Sequence, residues 1–133
     1  MSQVHLLLGS VIVVAFLLLT ILYVLRITGR AVPGVSTFSK IAAGLLLLQY
    51  VLGFLLMGGG YHNSNLHYLI ALLAIIPVGL EHAWAANRTT AHQRAVGSAI
   101  AAALTTILVV AAHSIGSANA GAMAVTAYIV SLF

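Results

Sequence analysis

The sequence predicts an all-α membrane protein, a bundle of four transmembrane helices with both the N-terminus and the C-terminus on the outer (periplasmic or extracellular) side. Hydrophobic residues make up 62% of the 133 positions and charged residues 5%, and the mean hydropathy is +1.16. A soluble domain of this size needs more polar side chains to cover its surface. Four apolar stretches approach the roughly 20 residues that cross the hydrocarbon of a bilayer, which sets the expected number of helices.

The four apolar stretches lie at about residues 4–25, 41–59, 66–85 and 95–115. The connections between them are too short for a second domain, so residues 1–133 are expected to form a single four-helix domain. In the third span, Asn63 or Asn65 is expected at the N-cap, and Pro77 predicts a kink. The tail, residues 117–133, ends in an apolar run too short to cross alone at about 1.5 Å per residue. We expect the tail to extend the fourth span or to lie on the outer surface.

The basic residues indicate the orientation of the bundle. All five lie in two alternate connections, between spans one and two and between spans three and four: Arg26, Arg30, Lys40, Arg88 and Arg94. Because cytoplasmic loops carry an excess of Lys and Arg, both connections are predicted to be cytoplasmic. The net charge of +4 is therefore a signal of topology. Without a basic patch interleaved with aromatic residues, no nucleic-acid partner is expected.

Two histidines are the main candidates for a metal-binding role. His5 and His67 each begin a span, and spans one and three run in the same direction, so both imidazoles are expected at one depth near the outer face. A neutral imidazole is a common ligand of heme iron, and without cysteine the heme would be noncovalent. Gly9 lies one turn below His5 on the same face and would let a porphyrin approach the backbone. The alternative is that both histidines are interfacial residues bonded to water or headgroups.

The other histidines support weaker hypotheses. His113 ends the fourth span on the outer side, where it would replace a ligand, bond a heme propionate, or serve as a polar helix end. His82 follows His67 on the same face of span three, but span one offers no inner partner, so a second heme there is not expected. The sole acid, Glu81, is expected to pair with His82 or a nearby arginine at the cytoplasmic boundary. An alternative is that this cluster orients a quinone headgroup or a partner loop.

Three segments of the chain, QVHLLLG (3–9), LLQYVLG (47–53) and LHYLIALL (66–73), resemble one half of a heme A synthase. The resemblance covers about residues 3–85. It implies a four-helix bundle whose heme is held by a histidine at the start of one helix and another two helices later, with a Gln-x-x-x-Gly helix between them. The catalytic half of that family carries a Glu three residues before its first histidine and an Arg after it. Here these positions are Ser2 and Leu6, which places heme-methyl oxidation in doubt.

These observations favour an integral b-type cytochrome of a prokaryotic plasma membrane, an electron-transfer subunit of a respiratory or photosynthetic complex. The expected cofactor is one noncovalent heme b, with His5 and His67 as iron ligands and Gly9 and His113 as further contacts. Expected partners are the lipid bilayer, other membrane subunits or a second copy, and a quinone or cytochrome c-type redox partner. Two alternatives remain open: a half-size heme A synthase-like enzyme acting as a homodimer, and a structural accessory subunit.

Overall fold

The computed structural model describes residues 2–85 and 87–130, and its described elements are all helical. They are α1 (Ser2–Ile27), α2 (Val35–Gly58), α3 (Asn65–Leu73), α4 (Ile75–Leu80), a π-helix (Glu81–Ala85) and α5 (Ala91–Val130). Four segments are long and apolar enough to cross a membrane: Gln3–Ile27, Val35–Gly58, Asn65–Ala85 and Ala91–Ala122. The predicted all-α chain with four candidate spans is confirmed, whereas its orientation stays a prediction.

The third span is composed of three helical pieces. α3 ends at Leu73, four residues before Pro77, and α4 begins at Ile75. Because proline has no backbone N–H, the carbonyl of Leu73 loses the donor that would continue the α-helix, which accounts for the break. Beyond α4 the chain widens into the π-helix, a rare form often found at functional sites. This irregular span carries Glu81 and His82.

The helices pack in a ring. α1 packs against α2 and α5, and α5 packs in turn against α3, α4 and the π-helix. Side-chain hydrogen bonds join α2 to α3 and to the π-helix and so close the ring, which places α1 and α3 at opposite corners. The interior between them is narrow and apolar, with Ile12, Phe16 and Leu19 of α1 almost completely buried. Small residues of α5, such as Ala102, let it approach α1 closely. The predicted ligands His5 and His67 therefore stand on diagonally opposed helices.

Large apolar side chains cover the outside of the bundle. Residues more than half exposed occur on every candidate span; they include Leu7, Val14, Val51, Phe54, Leu69, Ile76, Ile100 and Ile107. Such a surface is unfavourable in water, but lipid tails or neighbouring apolar helices would cover it. The distribution of exposed residues thus supports the membrane assignment made from composition.

The structure corrects the predicted start of the third span. Its N-cap is Ser64, whose hydroxyl accepts a hydrogen bond from the His67 amide at 3.2 Å, so the prediction of an Asn63 or Asn65 cap was wrong. Asn63 instead accepts a hydrogen bond from the Asn119 side-chain amide.

The C-terminal tail is helical where the structure describes it. α5 continues through the predicted tail as far as residue 130, so the tail extends the fourth span. Residues 131–133 lie outside the described residues.

Candidate functional site

The bundle has two polar ends. At one end, which we call the histidine end, lie His5, His67 and His113 on three different helices. The opposite end, which we call the basic end, carries the four arginines and Lys40, in or next to the connection between α1 and α2 and the connection between the π-helix and α5. Side-chain contacts link this end: the Gln49 nitrogen lies 3.2 Å from His5 Nε2, and both Gln49 and His113 lie against Gly9. The structure thus brings the two predicted ligands and His113 to one end.

His67 is oriented by one hydrogen bond to its backbone and one to its ring. The Ser64 cap fixes its backbone, and its Nδ1 lies 2.9 Å from the carbonyl oxygen of Ala112 on α5. Because a carbonyl only accepts hydrogen bonds, Nδ1 carries the hydrogen and Nε2 keeps its lone pair. Nε2 forms no hydrogen bond with any described residue. Metal-bound histidines commonly have this arrangement, with the second ring nitrogen donating to a carbonyl.

Glycines of neighbouring helices make room for these rings. A β-carbon at Gly116 of α5 would lie 3.0 Å from Cε1 and 3.1 Å from Nδ1 of His67. A β-carbon at Gly53 of α2 would lie 3.4 Å from Cε1 of His5. The role of Gly116 could not be predicted from the sequence, because its partner His67 lies on another helix and no local motif marks it.

Gly9 contacts His113 in this structure. A β-carbon at Gly9 would lie 2.9 Å from Nδ1 of His113 and 3.3 Å from the side-chain nitrogen of Gln49. The other ring nitrogen of His113, Nε2, lies 3.3 Å from the hydroxyl of Ser10. In this structure an imidazole and an amide occupy the space directly in front of Gly9, where a porphyrin is expected from the sequence.

Gln49 links α2 to His5. Its side-chain nitrogen donates to the His5 carbonyl at 2.9 Å and lies 3.2 Å from His5 Nε2. Two polar atoms of this pair, His5 Nδ1 and Gln49 Oε1, are buried without a hydrogen-bond partner. An unpaired buried donor or acceptor costs about 1–3 kcal/mol of stability. A further group that forms hydrogen bonds with these two atoms would therefore stabilise the bundle.

The residues at the histidine end suit a heme in their donor chemistry. His67 offers a free Nε2, the Nε2 of His5 is contacted by the Gln49 side chain alone among the described residues, and Gly53 and Gly116 let both rings lie close to the helix backbones. A heme needs only two axial nitrogens. Within the described residues, no three His, Cys, Asp or Glu side chains are grouped to hold a metal ion directly.

Glu81 at the basic end is buried, with 4% of its surface exposed. Its Oε1 accepts hydrogen bonds from the Tyr23 hydroxyl and the Ser39 hydroxyl, each at 2.5 Å. No arginine or lysine in the described part of the chain forms a salt bridge with it. Of the two partners predicted for Glu81, the arginine was wrong within the described residues, whereas His82 is linked to Glu81 through the Ser39 hydroxyl.

The arginines near the π-helix have other contacts. The Arg88 guanidinium lies 3.6 Å from the centre of the Trp84 ring, a cation–π arrangement. Arg94 donates to the carbonyl oxygens of Arg88 and Thr89 at 2.9 Å and 3.4 Å. These contacts hold both charges at the surface of the basic end, away from the buried carboxyl.

Comparisons of this chain with protein-family models, with curated proteins and with solved structures find no match. The resemblance to a half heme A synthase accordingly stays a prediction that rests on the three segments quoted above.

Proposed function

We propose that this protein is an integral membrane b-type cytochrome that holds one noncovalent heme at the histidine end, between His5 and His67. The observation that carries the proposal is the hydrogen bond from His67 Nδ1 to the Ala112 carbonyl, which leaves Nε2 directed by the protein and free to bind iron. We assign the second ligand to His5 through Nε2, where iron would replace the contact from the Gln49 side chain. A bound heme supplies a one-electron iron couple.

The surrounding residues would tune and position the ligands. The Ala112 carbonyl orients His67 and raises the basicity of its free nitrogen. Gln49 holds the backbone and ring of His5, and Ser10 holds His113. Apart from chain termini, no acid lies at this end, because the one acidic residue of the chain is Glu81. That absence favours electron transfer over a reaction that needs a carboxylate to move protons.

The exposed apolar surface supports a role inside a larger membrane assembly. A bundle with bulky apolar residues on every span offers lipid-facing and subunit-facing area but little polar surface for an independent substrate. We therefore propose that the cytochrome acts as an electron-transfer subunit of a respiratory or photosynthetic complex. Its redox partner would be a quinone or a cytochrome c-type protein.

The first test is spectroscopic. The protein is expressed in a heme-competent bacterium and purified in detergent, and a reduced-minus-oxidised spectrum is recorded together with the heme-to-protein ratio. We expect the α-band of a low-spin b-type heme at about one heme per chain, since two imidazoles fill both axial positions. A protein that stays folded and heme-free after reconstitution with hemin would overturn the proposal and favour the structural accessory subunit.

A further inference from the structure

Glu81 and its neighbours form a second polar site at the basic end, independent of the heme. The site joins three elements: Tyr23 of α1, Ser39 of α2, and Glu81 with His82 on the π-helix. Tyr23, Ser39 and Glu81 are 4%, 2% and 4% exposed, whereas His82 lies exposed on the surface of the bundle. The cluster therefore runs from the surface to a buried carboxyl.

The hydrogen bonds constrain where the protons are. Nδ1 of His82 lies 2.9 Å from the Val78 carbonyl and so carries a hydrogen. Nε2 of His82 lies 3.4 Å from the Ser39 hydroxyl, and the same hydroxyl lies 2.5 Å from Glu81 Oε1. A serine hydroxyl has one hydrogen, so it cannot donate to the carboxyl and to the imidazole together.

Two arrangements of the protons satisfy both hydrogen bonds that link His82, Ser39 and Glu81. In the first, imidazolium His82 donates to Ser39 and Ser39 donates to the Glu81 carboxylate. In the second, protonated Glu81 donates to Ser39 and Ser39 donates to neutral His82. Both contain the same number of protons. They interconvert when the Nε2 proton of His82 moves to Ser39 Oγ while the Ser39 hydroxyl proton moves to Glu81 Oε1.

We propose that His82, Ser39 and Glu81 form a proton relay that carries a proton between the surface of the basic end and the interior of the bundle. His82 exchanges protons with the medium, Ser39 passes them on, and Glu81 stores them. The species that this site binds and releases is therefore a proton. Chains of Glu and His within membrane segments commonly serve as such relays.

The groups packed around Glu81 make proton sharing favourable. Tyr23 donates to the same oxygen, and Ser98 of α5 is buried beside Tyr23; both are neutral. Lys40, next to Ser39, is exposed, and no described lysine or arginine forms a salt bridge with Glu81. A buried carboxylate without a countercharge is strongly unfavourable. A shared proton removes that penalty, either by neutralising Glu81 or by charging His82.

Infrared spectroscopy can follow this relay directly, because Glu81 is the one acidic side chain of the protein. The C=O stretch of a protonated carboxyl is recorded at the lowest pH at which the protein stays folded, and Glu81→Gln separates it from the terminal carboxyl. The protein is then moved into D2O, and the rate at which the band shifts measures exchange of the Glu81 proton.

Ser39→Ala removes the middle of the relay, and His82→Phe removes its surface end without disturbing a buried residue. We expect each variant to slow exchange of the Glu81 proton at least tenfold. Ser36→Ala, at an exposed serine one turn earlier on α2, is the matched control and should exchange at the wild-type rate. Exchange as fast in His82→Phe as in the wild type would overturn the proposal, as would the absence of a Glu81 carboxyl band.

Discussion

The backbone of Gly116 lies directly against the imidazole of His67, so closely that a β-carbon at position 116 would stand 3.0 Å from Cε1. The same ring donates to the Ala112 carbonyl one turn earlier on α5. Turning the ring away from position 116 would break that hydrogen bond. One turn of α5 therefore determines both the position and the tautomer of His67, and through them the direction of its free nitrogen.

Gly116→Ala should weaken heme binding. The added methyl group displaces the His67 ring and its bond to Ala112, and loss of such an outer contact typically lowers metal affinity by 10–100-fold. We expect at least a tenfold weaker affinity in a hemin titration. Gly121→Ala is the control, because a β-carbon at Gly121 on the same helix meets nothing within 4 Å. Equal affinities in the two variants would contradict the role of Gly116.

His5→Ala and His67→Ala should each abolish the low-spin heme spectrum, because bis-imidazole ligation needs both rings. His62→Ala, at an exposed loop histidine, and His113→Ala should leave the spectrum largely intact. The measurement is the reduced-minus-oxidised spectrum at equal protein concentration. An unaltered spectrum in His5→Ala together with heme loss in His113→Ala would move the ligand assignment to His113.

The protein should not convert heme O to heme A. That oxidation needs a group to handle protons at the heme, and Glu81 lies about 20 Å along the third span from His67 at about 1.5 Å per residue. The test is expression in a host that lacks its own heme A synthase but makes heme O, followed by extraction of membrane hemes. The appearance of heme A would restore the half-size enzyme.

Tyr23→Phe should destabilise the bundle by about 2 kcal/mol, because it removes a buried hydrogen bond to the Glu81 carboxyl. The measurement is the free energy of unfolding in mixed micelles of a mild detergent and dodecyl sulfate. Tyr61→Phe is the control, since Tyr61 is 61% exposed and its hydroxyl has no described partner; its free energy should stay at the wild-type value. Equal stabilities in both variants would argue against the Tyr23 bond.

Single cysteines test the predicted topology in a chain that has none of its own. Ser36→Cys lies beside the first basic connection, and His62→Cys lies in the loop at the histidine end. A membrane-impermeant thiol reagent added to intact cells should label the second and spare the first, because basic loops stay in the cytoplasm. Labelling of both from the same side would exclude the proposed arrangement of the helices.

The number of spans could be predicted from the sequence, but several helix limits could not. Length and hydropathy are sufficient to recognise a membrane span, and the third span was placed within one residue of its observed start. α2 begins at Val35, six residues before its predicted start. The first turns of α2 contain the polar residues Ser36, Thr37 and Lys40, so hydropathy alone does not include them in the span. Val35 and Ser39 are nevertheless buried.

The sequence by itself determined that the chain is helical and apolar and that histidines gather near the ends of its spans, because composition and helical period act locally. Only the tertiary structure decided which groups meet. Tyr23 and Ser39 reach Glu81 from two other helices, and Gly116 receives the His67 ring from α3. Such contacts depend on the rotation and depth of each helix against its neighbours, which side-chain packing sets and no periodicity within one helix records.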